Sequence, residues 1–229
     1  VTGNVVLIFA KYPQPGRVNT RMVPPLSADQ AAWLHVTSLQ AVCALVRRVT
    51  ENAVLVVTPD DSVSAFPVLV GGFPSCVRPQ GPGDLGDRLD RAVWWAFDEG
   101  AEGVILLGAD SPTLPAVYLR DALQLVADHD VVMGPCDDGG YYLLGLRKPA
   151  SSLFDGIDWG TEAVAAQTRT RARDAGWNLV ELPFWYDLDH HKNLARAAQD
   201  LDTARCESSA ETTALRELIV ELWKVDNHE

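Results

Sequence analysis

Val104-Ile105-Leu106-Leu107-Gly108-Ala109-Asp110-Ser111-Pro112 is a short apolar run that stops at a carboxylate, with a proline two residues later. Such a run, bounded by turn residues, reads as a central strand of a parallel sheet buried on both faces. In an open α/β sheet, ligands bind beyond the carboxyl ends of the strands. Asp110 falls at that edge, where a carboxylate can hold a divalent cation against a phosphate. Pro112 keeps Ser111 extended, so the chain leaves the strand before turning into a helix. An isolated aspartate in this place can equally cap the next turn, and the rest of the chain has to decide.

Val5 to Ala10 repeats the pattern of a buried strand. It runs into Lys11-Tyr12-Pro13-Gln14-Pro15-Gly16-Arg17-Val18-Asn19-Thr20-Arg21-Met22, a loop with two prolines, a glycine and three cations. The prolines stiffen the loop, and Gly16 lets the backbone approach a ligand. Lys11, Arg17 and Arg21 can converge on phosphate oxygens, arginine as a fork and lysine as a point charge. The loop is neither a Walker sequence nor a Rossmann glycine fingerprint. A solvated basic loop is the plain alternative.

Ser27 caps a predicted helix from Ala28 to about Arg48, on which His35 reads as a packed or surface histidine. Ala53 to Thr58 is a second strand, Ser62 to Ser75 is irregular, and Cys76 to Pro79 is a short edge strand. Gln80-Gly81-Pro82-Gly83-Asp84-Leu85-Gly86-Asp87-Arg88-Leu89 is a glycine-rich entry into a helix ending near Phe97. Its glycines and Arg88 suit backbone approach to an anion at a helix N-terminus. Asp84 as a simple N-cap is compatible with that role.

Beyond Asp110, Leu114 to Val126 is helical and Asp130 to Pro135 is a strand. Cys136-Asp137-Asp138-Gly139-Gly140 then leads at once into the strand Tyr141 to Leu146. A plain hairpin turn is the alternative reading. Parallel neighbouring strands would bring its carboxylates to the sheet edge that carries Asp110. Glu162 to Ala175 is a helix and Asn178 to Leu182 a strand. In Trp185-Tyr186-Asp187-Leu188-Asp189-His190-His191, Asp187 and Asp189 share one side of an extended segment while Leu188 points into the core. His190 is a better ligand candidate than a His190–His191 pair, which cannot share one strand face. Asn193 to Leu201 and Glu211 to Trp223 are the last helices.

The chain has 229 residues, 47% of them hydrophobic and 22% charged, enough for one sizeable domain over residues 1–229. A formal net charge of -12 argues against a nucleic-acid partner, which needs a basic face. No apolar run approaches the ~20 residues of a membrane span. The first strand is too short for a signal-peptide core and lacks a basic leader. Four scattered cysteines form no close metal-ligand pair, which fits reduced thiols in a cytoplasmic protein.

Five segments together resemble a bacterial family of glycosyltransferases in the nucleotide-diphospho-sugar transferase (GT-A) superfamily, one linked to arsenosugar biosynthesis. They are Phe9 to Met22, Gln80 to Leu89, Leu106 to Pro115, Gly134 to Leu146 and Trp185 to Leu194. The resemblance implies a GT-A-like α/β fold, a central mostly parallel sheet with helices on both faces and a nucleotide site at the strand ends. By position it assigns Lys11, Gly16, Thr20 and Arg21 to a phosphate-facing loop and Asp110 to a metal-binding aspartate. Asp138, Gly139, Gly140 and Tyr141 match an acceptor-side turn, and Asp187 and Asp189 match a late acidic motif that completes the metal site. Asn19 stands where the family usually has a lysine, and Arg17 is at hand to compensate.

The resulting expectation is a metal-dependent glycosyltransferase that uses a nucleotide-diphosphate sugar and an unknown acceptor. Mg²⁺ or Mn²⁺ on Asp110, Asp187 and Asp189 would bridge the phosphates. Lys11, Gly16, Arg17, Thr20, Arg21, Gln80, Gly86, Arg88, Gly139, Gly140 and Tyr141 would surround the nucleotide, with Asp138 or Asp137 as base. A nucleotidyltransferase on the same fold, releasing pyrophosphate, is the alternative within enzymes. A non-catalytic nucleotide- or sugar-binding protein is the alternative outside them. Released nucleoside diphosphate, pyrophosphate, or neither separates the three.

Overall fold

The computed structural model describes residues 3–203, 206 and 208–226. Seven strands form one sheet in it: β1 (Gly3–Lys11), β2 (Ala53–Thr58), β3 (Cys76–Pro79), β4 (Ala101–Gly108), β5 (Val131–Pro135), β6 (Tyr141–Leu146) and β7 (Leu179–Glu181). Their spatial order is β3-β2-β1-β4-β6-β5-β7. The fold is α/β with a mostly parallel sheet, as expected; β6 alone runs against its neighbours.

Strand β1 shows why the sheet is central. Val6 and Ile8 enter one apolar cluster, Val5 and Leu7 the other, and all four are fully buried. Side chains alternate across a strand, so a strand without a polar face must be covered on both sides. Helices α1 (Ala28–Val49), α4 (Ala116–Leu125), α6 (Asn193–Asp202) and α7 (Ala210–Asp226) contribute to the first cluster. Helices α3 (Leu85–Asp98) and α5 (Val164–Asp174) contribute to the second. Burial of each Val or Leu of this kind stabilises by about 1.5–3 kcal/mol.

Local signals set the helix starts. Ser27 and Gln30 form a reciprocal capping box at the head of α1. Asp84 and Asp87 form another at the head of α3. Each satisfies two of the otherwise orphaned backbone donors of a first turn. Residues 62–75, read as irregular, hold the end of a 3-10 turn that spans Asp60–Ala65 and the four-residue helix α2 (Phe66–Leu69).

The expectation of parallel neighbours around the acidic turn needs correction. Between β4 and β5 lies β6, paired antiparallel to both. Two reversals restore the direction, so β4 and β5 still point the same way and their ends share one sheet edge. The chain passes from β1 outward to β2 and β3, then returns to place β4 on the other side of β1. That reversal of strand order opens a crevice beyond β1 and β4.

Candidate functional site

The crevice holds a cleft of about 330 Å³. Its polar lining includes Lys11, His35, Gln80, Asp110 and Asp187; Phe9, Leu89, Leu106, Tyr141 and Trp159 form an apolar wall. Tyr141 and Trp159 meet edge to face, their ring centroids 6.5 Å apart.

Asp110 lies two residues past the end of β4. Its side chain is 51% exposed, but that exposed half looks into the concave cleft. Crowding by the cleft walls, and then the negative charge of Asp189, push its pKa up to about 6. Asp187 arrives from a segment far along the chain. The Leu188 amide donates to the Asp110 carbonyl at 2.7 Å, pinning that segment across the strand end. Leu188 is buried in the core, as its alternation with the flanking aspartates predicts.

Asp187 accepts a short hydrogen bond from the Ser111 hydroxyl. Burial, then the charge of Asp110, raise its pKa to about 7; Ser111 and the Cys136 thiol oppose the rise by hydrogen bonding. Ligand atoms of Cys136, Asp138 and Asp187 all lie within 4.8 Å of one another. Two carboxylates held together in a cleft with raised pKa values are short of positive charge. The carboxylates of Asp138 and Asp187 in that cluster fit a hard divalent cation, and Asp110 is near enough for its charge to act on Asp187.

Asp189 lies near enough to Asp110 for its charge to act on that carboxyl, and its Oδ2 lies 2.5 Å from Nη1 of Arg21, on the loop after β1. Asp137 is exposed and bonded to Arg196 at 2.9 Å, so an arginine competes for the carboxylate expected to act as a base. Asp138 accepts from the Gly140 amide at 2.9 Å, an Asx turn that holds it beside Asp187. His190 is exposed, while His191 stacks on Trp223.

Lys11, which ends β1, and Arg17, on the loop after it, are exposed and make no ion pair among the described residues, whereas Arg21 is held by Asp189. Thr20 opens a 3-10 turn, and Gly16, at φ 76°, has open space where a Cβ would stand. Asn19 adopts a left-handed conformation and donates to the Ala31 carbonyl at 3.3 Å. Asparagine tolerates that conformation better than a lysine would.

Three expected nucleotide contacts have other work in this structure. Gly86 is not open to the cleft: a Cβ there would lie 2.9 Å from the Trp159 indole nitrogen and 3.1 Å from the Phe154 carbonyl. Arg88 braces its own loop, donating to the Gly83 carbonyl at 2.9 Å. Gly139, at φ 88°, packs so closely on the Glu162 backbone that a Cβ would fall 2.2 Å from its carbonyl oxygen. Gln80 does line the cleft, and it is buried while donating to the carbonyls of Ala10 and Val56.

His35, Ser111, Cys136 and Trp159 were not assigned to the site from the sequence. His35 carries the only local hint, a polar residue on the core-facing side of α1 among buried Ala31, Ala32, Leu34 and Leu39. A second groove, of about 290 Å³, is lined by Gln40, Cys43, Arg47, Phe73 and Glu211 and collects no comparable group of acids.

The sheet order and the strand-end cleft define a nucleotide-diphospho-sugar transferase-like fold. A provisionally assigned nucleotide-diphospho-sugar transferase from Desulfovibrio desulfuricans G20 superposes with a TM-score of 0.86 at 32% identity, covering 95% of this chain and 97% of that one. The chain belongs to the family described as uncharacterized proteins conserved in bacteria (DUF2064), whose pattern matches residues 41–161. It is also 30% identical over 135 residues to 2-phospho-L-lactate guanylyltransferase of Methanothermobacter thermautotrophicus, a match spanning 58% of each protein. CMP:2-keto-3-deoxy-manno-octonic acid synthetase, solved with CTP, shares the fold alone, with a TM-score of 0.53 at 13% identity over 84% of this chain and 95% of that one. Among the described residues no helix is long and apolar enough to cross a membrane.

Proposed function

We propose that the chain is a nucleotidyltransferase that joins a nucleoside monophosphate unit to a small phosphorylated acceptor. An acceptor phosphate oxygen attacks the α-phosphorus of a nucleoside triphosphate. A new P–O bond forms there as the bond to the β-phosphate breaks, and pyrophosphate leaves. The observation that carries this reading is an uncommitted cation, Lys11, lining the cleft with Asp110 and Asp187, with a second exposed cation, Arg17, on the loop that follows it. A departing pyrophosphate carries more charge than any other product considered, and preorganised cations stabilise charge as it develops.

Asp110 and Asp187 would hold Mg²⁺ or Mn²⁺, which supplies charge neutralisation to the phosphates when bound. The chain's own part is to position and screen. Lys11 meets phosphate oxygens, Gln80 fixes the β1 and β2 ends against each other, and the Tyr141–Trp159 wall keeps water from one side of the acceptor. The guanylyltransferase relative supports this ordering over glycosyl transfer.

Glycosyl transfer from a nucleotide-diphosphate sugar is the second reading, favoured by the nearly full-length likeness to the Desulfovibrio protein. Incubation with each nucleoside triphosphate, Mn²⁺ and a panel of phosphorylated small molecules decides between them. Enzyme-dependent pyrophosphate release supports nucleotidyl transfer. Release of nucleoside diphosphate from nucleotide sugars, with no pyrophosphate from any triphosphate, refutes it.

A further inference from the structure

We propose that Nδ1 of His35 is a direct ligand of the cation held by Asp110, making the centre a mixed nitrogen–oxygen site that favours Mn²⁺ over Mg²⁺. The inference rests on the metal-dependent reading of the cleft given above.

His35 projects from α1 into the cleft and is 5% exposed. Its Nε2 lies 2.9 Å from the Lys11 carbonyl oxygen. A carbonyl only accepts, so Nε2 carries the hydrogen. A neutral imidazole protonated on Nε2 presents a bare lone pair at Nδ1.

That lone pair faces a carboxylate. Nδ1 lies 3.9 Å from Oδ1 of Asp110, beyond hydrogen-bond range. Two electron-pair donors thus confront each other across a gap in which a cation bonded to both at about 2.0–2.2 Å can sit. The far side of the ring is arranged as ligating histidines usually are, donating its other N–H to a backbone carbonyl that fixes tautomer and orientation. Here the carbonyl belongs to Lys11, so one ring couples the cation position to the phosphate-binding loop. Imidazole suits transition metals, whereas Mg²⁺ prefers oxygen ligands, which sets the direction of selectivity.

The test is pulsed electron paramagnetic resonance of the protein with Mn²⁺ and inorganic pyrophosphate, with histidine at natural abundance or ¹⁵N-labelled. The expected spectrum shows an imidazole nitrogen coupling that changes on ¹⁵N-histidine labelling and vanishes in His35→Asn. That variant should bind Mn²⁺ at least about tenfold more weakly, with a smaller loss for Mg²⁺. His35→Gln serves as the second variant should the first not fold. If Mn²⁺ binding is lost in Asp110→Asn but the wild-type spectrum has no histidine coupling, or the coupling survives in the His35 variants, the inference is overturned and the Asp110 site stands. If Asp110→Asn binds Mn²⁺ as the wild type does, the site itself is wrong and the inference falls with it.

Discussion

Arg21 and Asp189 are joined at 2.5 Å across 168 residues of chain, so the loop after β1 and the segment before α6 neutralise one another. Their side chains are 52% and 31% exposed, so solvent screens the pair. A double-mutant cycle with Arg21→Ala and Asp189→Asn should therefore give a stability coupling of only about 0.2–1 kcal/mol. Arg21→Ala should nonetheless weaken pyrophosphate binding by about 1.5–3 kcal/mol if the arginine reaches phosphate when ligand arrives. Calorimetric titration reads the second quantity; unchanged affinity would remove Arg21 from the phosphate site.

Asp187 carries the opposite kind of balance. Its pKa is raised from the ordinary aspartate value of 3.8 to about 7, so folding disfavours its ionised form. The cost is absent at low pH and grows as pH rises between those two values. Asp187→Asn should therefore raise the melting temperature of the metal-free protein at pH 8, by roughly 2–4 °C for each kcal/mol relieved. The same variant should lose Mn²⁺ affinity. Melting curves at pH 5 and pH 8 check the sign: the gain should shrink at pH 5, and a gain of equal size at both would assign it to something other than charge.

Asp130 runs the other way. Arg147, then the Asn178 amide, with Lys148 beside them, hold its carboxyl down at about 2. A depressed pKa contributes stability that is present above about pH 4 and lost as pH falls towards 2. Asp130→Asn should cost about 1 kcal/mol at pH 7 after allowance for solvent screening, and almost nothing near pH 2. Urea unfolding at both pH values measures the difference.

Gly139→Ala should destabilise by about 1–3 kcal/mol, because the added carbon meets backbone rather than a side chain that can swing away. The Asp138 turn should lose order with it. Nuclear magnetic resonance shifts confined to residues 136–141 and 161–165 would be the signature; shifts spread over the whole sheet would contradict it.

Much of the strand framework was legible. Cys76–Pro79 is the observed β3, and Ser27 and Asp84 cap the helices they were expected to cap. These features depend on neighbours in sequence, and the residues themselves carry the signal. The position of β6 does not. Tyr141 to Leu146 is apolar along its length, and a strand buried on both faces shows the same pattern whichever way it runs. His35 was missed for a related reason. Its spacing on α1 is that of any core-facing residue, and only the return of β4 beside β1 brings Asp110 to it. The packing of Gly86 was not legible, because a glycine set under an indole and a glycine open to a phosphate are the same letter in the chain.

The backbone bond from the Leu188 amide to the Asp110 carbonyl gives the centre a clock. Asp110 and Asp187 belong to segments separated by more than seventy residues, and this bond spans the junction between them. For that proton to exchange with deuterated solvent, the two segments must part. Its lifetime therefore times the opening of the centre directly, before any substrate is known.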